Sequence, residues 1–149
     1  MIYLKPEILS KLRASISDDI TSQKTLLETN SINLLEDNAE IDIDNCFVAT
    51  EEEISGWIDE QKGSDGLADA ERAELRASFL ESYPELYPDV GAKYLVTSEL
   101  SDGQKSVFAV SLQVNQGQLG MRLMQFYGLY LSHDEALAAA RALDGLVFI

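Results

Sequence analysis

Residues 93–132 read KYLVTSEL-SDGQ-KSVFAVSLQVN-QG-QLGMRLMQFYGLYLS, and this stretch decides the fold. Three segments in it are dense in β-branched, aromatic and long apolar residues, as strands are: Lys93–Leu100, Lys105–Asn115 and Gln118–Ser132. The joints between them are short, and each contains a glycine, Gly103 or Gly117, that can adopt the positive φ of a tight turn. The sequence therefore predicts an antiparallel meander of three strands.

The polarity of the middle segment predicts how its faces are used. Apolar residues occupy the even positions from Phe108 to Val114, whereas polar residues such as Ser111 and Gln113 occupy odd positions. Because strand side chains point alternately to opposite faces, we expect one buried face and one face at least partly in contact with water.

The third segment has apolar residues at both parities, which is typical of a central strand or of a strand covered on both sides. Strict alternation places Tyr127 and Leu129 on one face, and Phe126 and Tyr130 on the other. The segment is long for a strand, and Gly128 is a candidate for a β-bulge or bend that interrupts it.

A helix is predicted after the meander. Ser132 is a favourable N-cap residue, and Glu135, three residues later, completes a capping-box pattern. Gly145 stands where a helix C-terminal cap is expected. The last residues, Leu146–Ile149, are all apolar, so we expect a short terminal strand or a plug in the core.

Upstream of the meander the sequence predicts mainly helices. Pro6–Ile16 and Thr21–Glu28 have apolar residues at helical spacing. Between this pair and the next helices, Glu40–Thr50 alternates between apolar and acidic residues and then becomes fully apolar, which predicts a strand that joins the sheet.

Two further helices are predicted between that strand and the meander. Thr50 and Glu53 form a capping-box pattern that opens a helix over Glu51–Lys62. A second helix is predicted over Leu67–Tyr83, and Pro84 is expected to end it because the residue before a proline disfavours helical backbone.

Together these patterns predict a single α+β domain over residues 1–149. Its antiparallel sheet has three to five strands, with the meander in the C-terminal half, and is packed with N-terminal and C-terminal helices. Residues 1–90 form an acidic, mainly helical half, and residues 91–149 form a nearly neutral half with the meander and the last helix.

The residue inventory argues against catalysis. His133 is the only histidine and Cys46 the only cysteine, so one chain cannot assemble a zinc site or a Cys–His nucleophile pair from them. The acidic run 42–45 fails as a calcium loop, because Cys46 and Phe47 stand where an oxygen ligand and a glycine are needed. The sequence contains no glycine-rich phosphate loop and no Gly-x-Ser-x-Gly elbow. We therefore predict no enzyme activity, no cofactor and no metal.

The same inventory predicts a cytoplasmic protein. No apolar run approaches the roughly 20 residues that span a bilayer. The first residues, MIYLKPE, lack the basic and apolar regions of a signal peptide, and one cysteine excludes an internal disulfide.

Charge is the one compositional outlier. Eleven basic against 26 acidic residues give a net charge of −15, and residues 91–149 contain only four of the basic and five of the acidic side chains. Residues 1–90 therefore carry nearly all of the negative charge. A field of this sign repels nucleic acid and anionic membranes, and it speeds encounters with basic partners. The alternative is that the charge only keeps the protein soluble.

These observations predict a non-catalytic acidic protein that binds a basic protein partner, such as an inhibitor or immunity-type protein that neutralises a toxin domain. The candidate contacts are acidic residues of the predicted strand and of the helix after it, with two tyrosines as apolar anchors: Asp42, Asp44, Glu51, Glu52, Asp59, Glu60, Tyr83 and Tyr87.

Other function classes fit less well but stay open. A structural or regulatory partner subunit would share the same profile, and a small-molecule-binding domain could use a pocket between the sheet and the acidic helices. A sheet that enters the DNA major groove is disfavoured, since Ser111, Gln113 and Asn115, which are expected to face outward, are uncharged.

Overall fold

The computed structural model describes residues 1–35, 48–62, 66–86 and 90–149. Expectations for residues 36–47, 63–65 and 87–89 lie outside the described residues. In chain order the elements are β1 (Ile2–Tyr3), α1 (Pro6–Ala14), α2 (Ile20–Thr29), β2 (Val48–Thr50), α3 (Glu51–Lys62), α4 (Asp69–Leu86), β3 (Lys93–Ser101), β4 (Ser106–Asn115), β5 (Met121–Tyr130), α5 (His133–Arg141) and β6 (Leu146–Phe148).

The predicted meander is confirmed. Four strands form the main sheet in the order β1-β3-β4-β5, and both β3–β4 and β4–β5 are antiparallel. In the first turn Asp102 Oδ1 accepts hydrogen bonds from the backbone N–H groups of Gln104 and Lys105, and Gly103 has φ 93°. The fold is therefore α+β, as predicted, with β1 added parallel to β3 at one edge.

The C-terminal residues form the predicted short strand. In this strand, β6, Val147 pairs with Ala49 of β2 in a separate two-stranded antiparallel sheet. The expectation that the segment ending at Thr50 joins the main sheet is therefore wrong for its described residues. The physical reason is that Val48 and Phe148 pack with Leu95 and Val110 over one face of the main sheet, which removes apolar side chains from water.

Both faces of the main sheet are covered. On one face α1 and α2 pack through Leu9, Leu12 and Leu27 against β3, β4 and β5. On the other face α5 and the two-stranded sheet pack against Leu95, Val110 and other apolar side chains. The sequence predicts α1 and α2 as two separate helices. The first face is covered because both helices fold back and pack onto the sheet.

The prediction of a partly wetted face is consequently wrong. Ser111 and Gln113 are fully buried, on the same face as α1 and α2. Burial of such groups is tolerated when they are hydrogen-bonded. Gln113 Nε2 donates to Leu34 O at 3.2 Å and to Ser111 Oγ at 3.1 Å.

A bulge interrupts β5 beside Gly128, as predicted. Val110 pairs with Gly128 but the next residue, Ser111, pairs with Phe126, so Tyr127 is the extra residue. Gly128 has φ 136°, which side chains rarely allow.

The bulge overturns the faces that strict alternation assigns to β5. Leu129 packs in the same cluster as Phe126, and Tyr127 packs in the same cluster as Tyr130. One inserted residue reverses the parity of every residue after it.

Several helix ends match their predicted caps. Thr50 and Glu53 form the capping box, with Glu53 N–H donating to Thr50 Oγ1 and Thr50 N–H donating to Glu53 Oε2. Ser132 Oγ accepts from Glu135 N–H at 3.1 Å at the start of α5. Side-chain caps satisfy backbone donors that would otherwise lack a helical partner.

The predicted end of the second acidic helix is wrong. Its helix, α4, continues through Pro84 to Leu86. Proline in the last turn removes only a hydrogen bond near the helix end. Burial of Phe79 and Tyr83 holds that turn against α3 and β2, so packing outweighs the local preference.

None of the helices in the described part of the chain is long and apolar enough to cross a membrane.

Candidate functional site

The predicted contact residues fall into three groups in the structure. Asp42, Asp44 and Tyr87 lie outside the described residues. Glu51, Glu52, Asp59 and Glu60 lie on α3, and Tyr83 lies on α4.

Two of the predicted acidic contacts are used inside the protein. Glu51 Oε1 accepts from Arg76 Nη2 at 2.7 Å, and Asp59 Oδ1 accepts from Arg72 Nη1 at 2.8 Å. Both pairs join α3 to α4. Their side chains are partly exposed, and ion pairs in such positions contribute little to stability. These carboxylates nevertheless present less negative charge to a partner than the sequence suggests.

Glu52 and Glu60 remain as outward-facing carboxylates of α3. Both are exposed, and neither takes part in the ion pairs found among the described residues. They are the predicted acidic contacts that the structure leaves accessible.

Tyr83 is a correction to the predicted site. Its side chain is 3% exposed, its hydroxyl donates to Val48 O at 3.0 Å, and its ring lies edge-on to Phe79 at 5.4 Å. A tyrosine that links α4 to β2 in this way is a core residue. It is not available as an apolar anchor on the surface.

The structure reveals an acidic face that the sequence reasoning missed. Four glutamates on α4 are all exposed and are separated by three, seven and four residues; we call them the α4 stripe: Glu71, Glu74, Glu81 and Glu85. At about 100° per residue they fall within one arc of the helix, away from the buried Phe79 and Tyr83. The stripe is about 21 Å long at 1.5 Å per residue. The spacing was readable from the sequence once the helix was predicted.

The helices α3 and α4 concentrate the charge of the described residues. They contain ten acidic side chains against three basic ones, Lys62, Arg72 and Arg76. Two of those three cations are held by Glu51 and Asp59. The surface formed by this helix pair is therefore strongly negative.

A small cavity of about 120 Å³ lies where α3 and α4 meet β3, and its walls include Glu53, Phe79, Tyr83 and Lys93. The Lys93 amine is paired with Glu53, which is also the capping residue of α3. Burial lowers the pKa of the Lys93 amine. The ion pair between Lys93 and Glu53 links α3 to the first residue of β3. A structural role is therefore the simplest interpretation of this lysine.

The lone histidine lies at the start of α5 against the sheet. Its ring packs on Phe108 with centroids 5.6 Å apart, and Nε2 lies 3.5 Å from Thr97 Oγ1. The His133 side chain is therefore half-exposed. Cys46 lies outside the described residues.

Within the described ranges, histidine, cysteine and carboxylate side chains form no group of three or more that could hold a metal ion. No family model matches the chain, and neither the curated proteins nor the solved structures give a match.

Proposed function

We propose that the protein is a non-catalytic acidic binding protein whose partner is a basic protein, in the manner of an inhibitor or immunity protein that neutralises a toxin domain. One observation carries the proposal: four exposed glutamates form a single stripe on α4, within a helix pair of strongly negative charge. The proposal places the protein in the cytoplasm, as the absence of an internal disulfide is compatible with that compartment.

The physical role of the stripe is to guide and orient the partner. Charged surfaces of opposite sign accelerate association by tenfold or more, and the effect weakens as salt screens the charges. A line of carboxylates about 21 Å long matches a helix or groove that presents arginine or lysine at similar spacing. Bidentate arginine–carboxylate pairs would add orientation to the attraction.

The outward carboxylates of α3 extend this surface. Glu52 and Glu60 are exposed on the helix that packs beside α4. Charge alone speeds association and orients the partner, but it does not produce tight binding. An apolar anchor is therefore also required. Tyr83 is buried and cannot supply it, and Tyr87 remains the predicted anchor.

The test compares two variants of equal charge change. The stripe variant carries Glu71→Gln, Glu74→Gln, Glu81→Gln and Glu85→Gln. The control variant removes four exposed carboxylates far from α4 in the sequence: Glu7→Gln, Asp18→Asn, Asp134→Asn and Asp144→Asn. Capture from a native lysate on immobilised wild-type protein supplies the basic partner, and surface plasmon resonance then measures its association rate at 50 and 500 mM NaCl.

We expect the stripe variant to associate at least tenfold more slowly than the wild type at 50 mM NaCl and to lose most of its salt dependence. The control variant should change the association rate less than threefold. Equal effects of the two variants would mean that net charge alone matters. Failure to capture any basic protein would also reject the proposal.

A further inference from the structure

Two apolar side chains are exposed at the end of the main sheet where β3 begins and where the chain turns from β4 into β5. Leu119 is 84% exposed, more than any other large apolar side chain in the described ranges, and Val90 is 66% exposed. Leu119 lies two residues after Gly117 in this turn, and a side chain at position 117 would bring its Cβ to 3.0 Å from Val90 Cγ2. We call Val90 and Leu119 the apolar tip.

The backbone that carries the apolar tip is held by hydrogen bonds. Within the turn, Gly120 N–H donates to Gly117 O at 3.0 Å, and Gln116 N–H donates to Gly120 O at 2.8 Å. Gly117 and Gly120 have φ 68° and 77°, a conformation that glycine adopts more readily than other residues. Before β3, Gly91 N–H donates to Asn115 O at 2.8 Å, which connects that segment to the end of β4. Apolar groups on a backbone held in this way lose little conformational freedom on binding.

The chain on either side of the apolar tip is uncharged over a short distance. Residues 90–92 and 115–121 contain no ionisable side chain, whereas 25% of the whole chain is charged. The charged residues that flank these segments are Asp89, Lys93 and Arg122. The buried centre of a protein–protein interface is depleted in charged residues. The apolar tip therefore has the composition of an interface centre.

The apolar tip lies near one end of the α4 stripe. Gly91 lines the same small cavity as Phe79 and Tyr83, so the chain beside Val90 packs against the C-terminal half of α4. Glu85, the last residue of the stripe, precedes Val90 by five residues, so their Cα atoms are at most about 18 Å apart. An interface of standard size, about 800 Å² per partner, is roughly 30 Å across. A single partner can therefore contact the end of the stripe and the apolar tip together.

We propose that the apolar tip is the anchor that holds the basic partner: Leu119 and Val90 enter an apolar pocket of that protein while its basic side chains pair with the α4 stripe. This role rests on the proposed function, which requires an apolar anchor that the buried Tyr83 cannot supply. Charge favours this occupant over a second copy of the chain, because two molecules of net charge −15 repel each other.

The stripe and the apolar tip affect different rate constants. Exposed charges act at a distance and mainly set the association rate, and their effect falls as salt screens them. An apolar side chain acts only after contact, so it mainly sets the dissociation rate. Loss of the anchor therefore shortens the lifetime of the complex and leaves the association rate nearly unchanged.

The experiment measures both rates for Leu119→Ser by surface plasmon resonance at 50 and 500 mM NaCl. The analyte is the basic protein captured on the wild type, and the stripe variant is measured alongside. Leu119→Ser removes the most exposed side chain of the apolar tip and leaves the net charge unchanged. Ile20→Ser is the matched control, because Ile20 is a 49% exposed aliphatic residue at the start of α2, which contacts the other end of β5 at Leu129.

We expect Leu119→Ser to dissociate at least tenfold faster than the wild type at both salt concentrations, with an association rate within threefold. Ile20→Ser should change neither rate by more than threefold. Dissociation of Leu119→Ser within threefold of the wild type would overturn the anchor, whereas slower association of the stripe variant would still support the proposed function. Failure to capture any basic protein would overturn both. A wild-type dimer in sedimentation velocity that Leu119→Ser abolishes would assign the apolar tip to a second copy and overturn the proposal.

Discussion

Replacing Gln23 should destabilise the fold more than any other single change to a polar side chain of α2. Its side chain is 3% exposed and connects three parts of the chain. Nε2 donates to the carbonyl oxygens of Ser15, Ile16 and Asp18 at 3.1, 3.3 and 3.2 Å. Oε1 accepts from Leu129 N–H at 3.0 Å, next to the bulge in β5. One amide thus joins α2 to the turn before it and to the edge of the main sheet.

The expected loss of stability depends on which groups lose their hydrogen-bond partner in Gln23→Leu. The Leu129 N–H is buried and would be left unsatisfied, at a cost of about 1–3 kcal/mol. Ser15 O still accepts from Asp18 N–H at 2.8 Å, and the hydrogen bonds to Ile16 O and Asp18 O are only partly buried, so water can replace them. We therefore expect a loss of about 2–3 kcal/mol in the free energy of unfolding, a large part of the roughly 5–15 kcal/mol of a typical domain.

The assay is urea denaturation followed by far-UV circular dichroism, with hydrogen exchange of the Leu129 amide as a local measure. Gln61→Leu is the matched control, because Gln61 is an exposed glutamine on α3 and should change stability by less than about 0.5 kcal/mol. The Leu129 amide should exchange faster in Gln23→Leu than in the wild type. If Gln23→Leu unfolds within about 0.5 kcal/mol of the wild type and Leu129 exchange is unchanged, the reasoning about this amide is refuted.

Three further predictions concern caps, backbone strain and pH. Ser132→Ala should lower the free energy of unfolding by about 1 kcal/mol through loss of the α5 cap, and an unchanged urea midpoint would contradict that role. Ser31→Gly should raise it by roughly 0.5–1 kcal/mol by relieving the positive φ, and a lower midpoint would contradict the assigned strain. Hydrogen bonds from the backbone of Lys105 and Gln104 lower the pKa of Asp102 below its usual 3.8. Its contribution is therefore present above the unfolded pKa and lost as pH falls through the folded pKa, and an NMR titration that places Asp102 at or above 3.8 would refute this.

The sequence alone determined the local elements of this protein. The capping residues Thr50 and Ser132 mark their helices because a side-chain oxygen satisfies backbone donors within three residues. The turn at Gly103 and the bulge at Gly128 could also be predicted locally, because glycine tolerates the positive φ that both positions adopt. These signals act over a few residues and need no knowledge of the rest of the fold.

Only part of the candidate binding surface could be predicted from the sequence. The concentration of charge before residue 90 is a matter of composition, and the spacing of the α4 stripe follows from helical geometry. Which carboxylates are already neutralised was not readable, because Glu51 meets Arg76 only when α3 and α4 pack together. The burial of Tyr83 likewise depends on Val48, which lies 35 residues away in the chain.

Tertiary structure alone decided the faces of the sheet and the cavity. Ser111 and Gln113 are polar by sequence, yet both are fully buried on the sheet face where α1 and α2 pack, because burying Leu9, Leu12 and Leu27 there offsets the cost of enclosing two polar side chains. The Gln113 oxygen, which has no hydrogen-bond partner among the described residues, and the cavity between α2 and β5 both arise where residues distant in sequence pack together. Local pattern predicts what a segment prefers, whereas long-range packing determines which of its groups meet water, a neighbour or an open cavity.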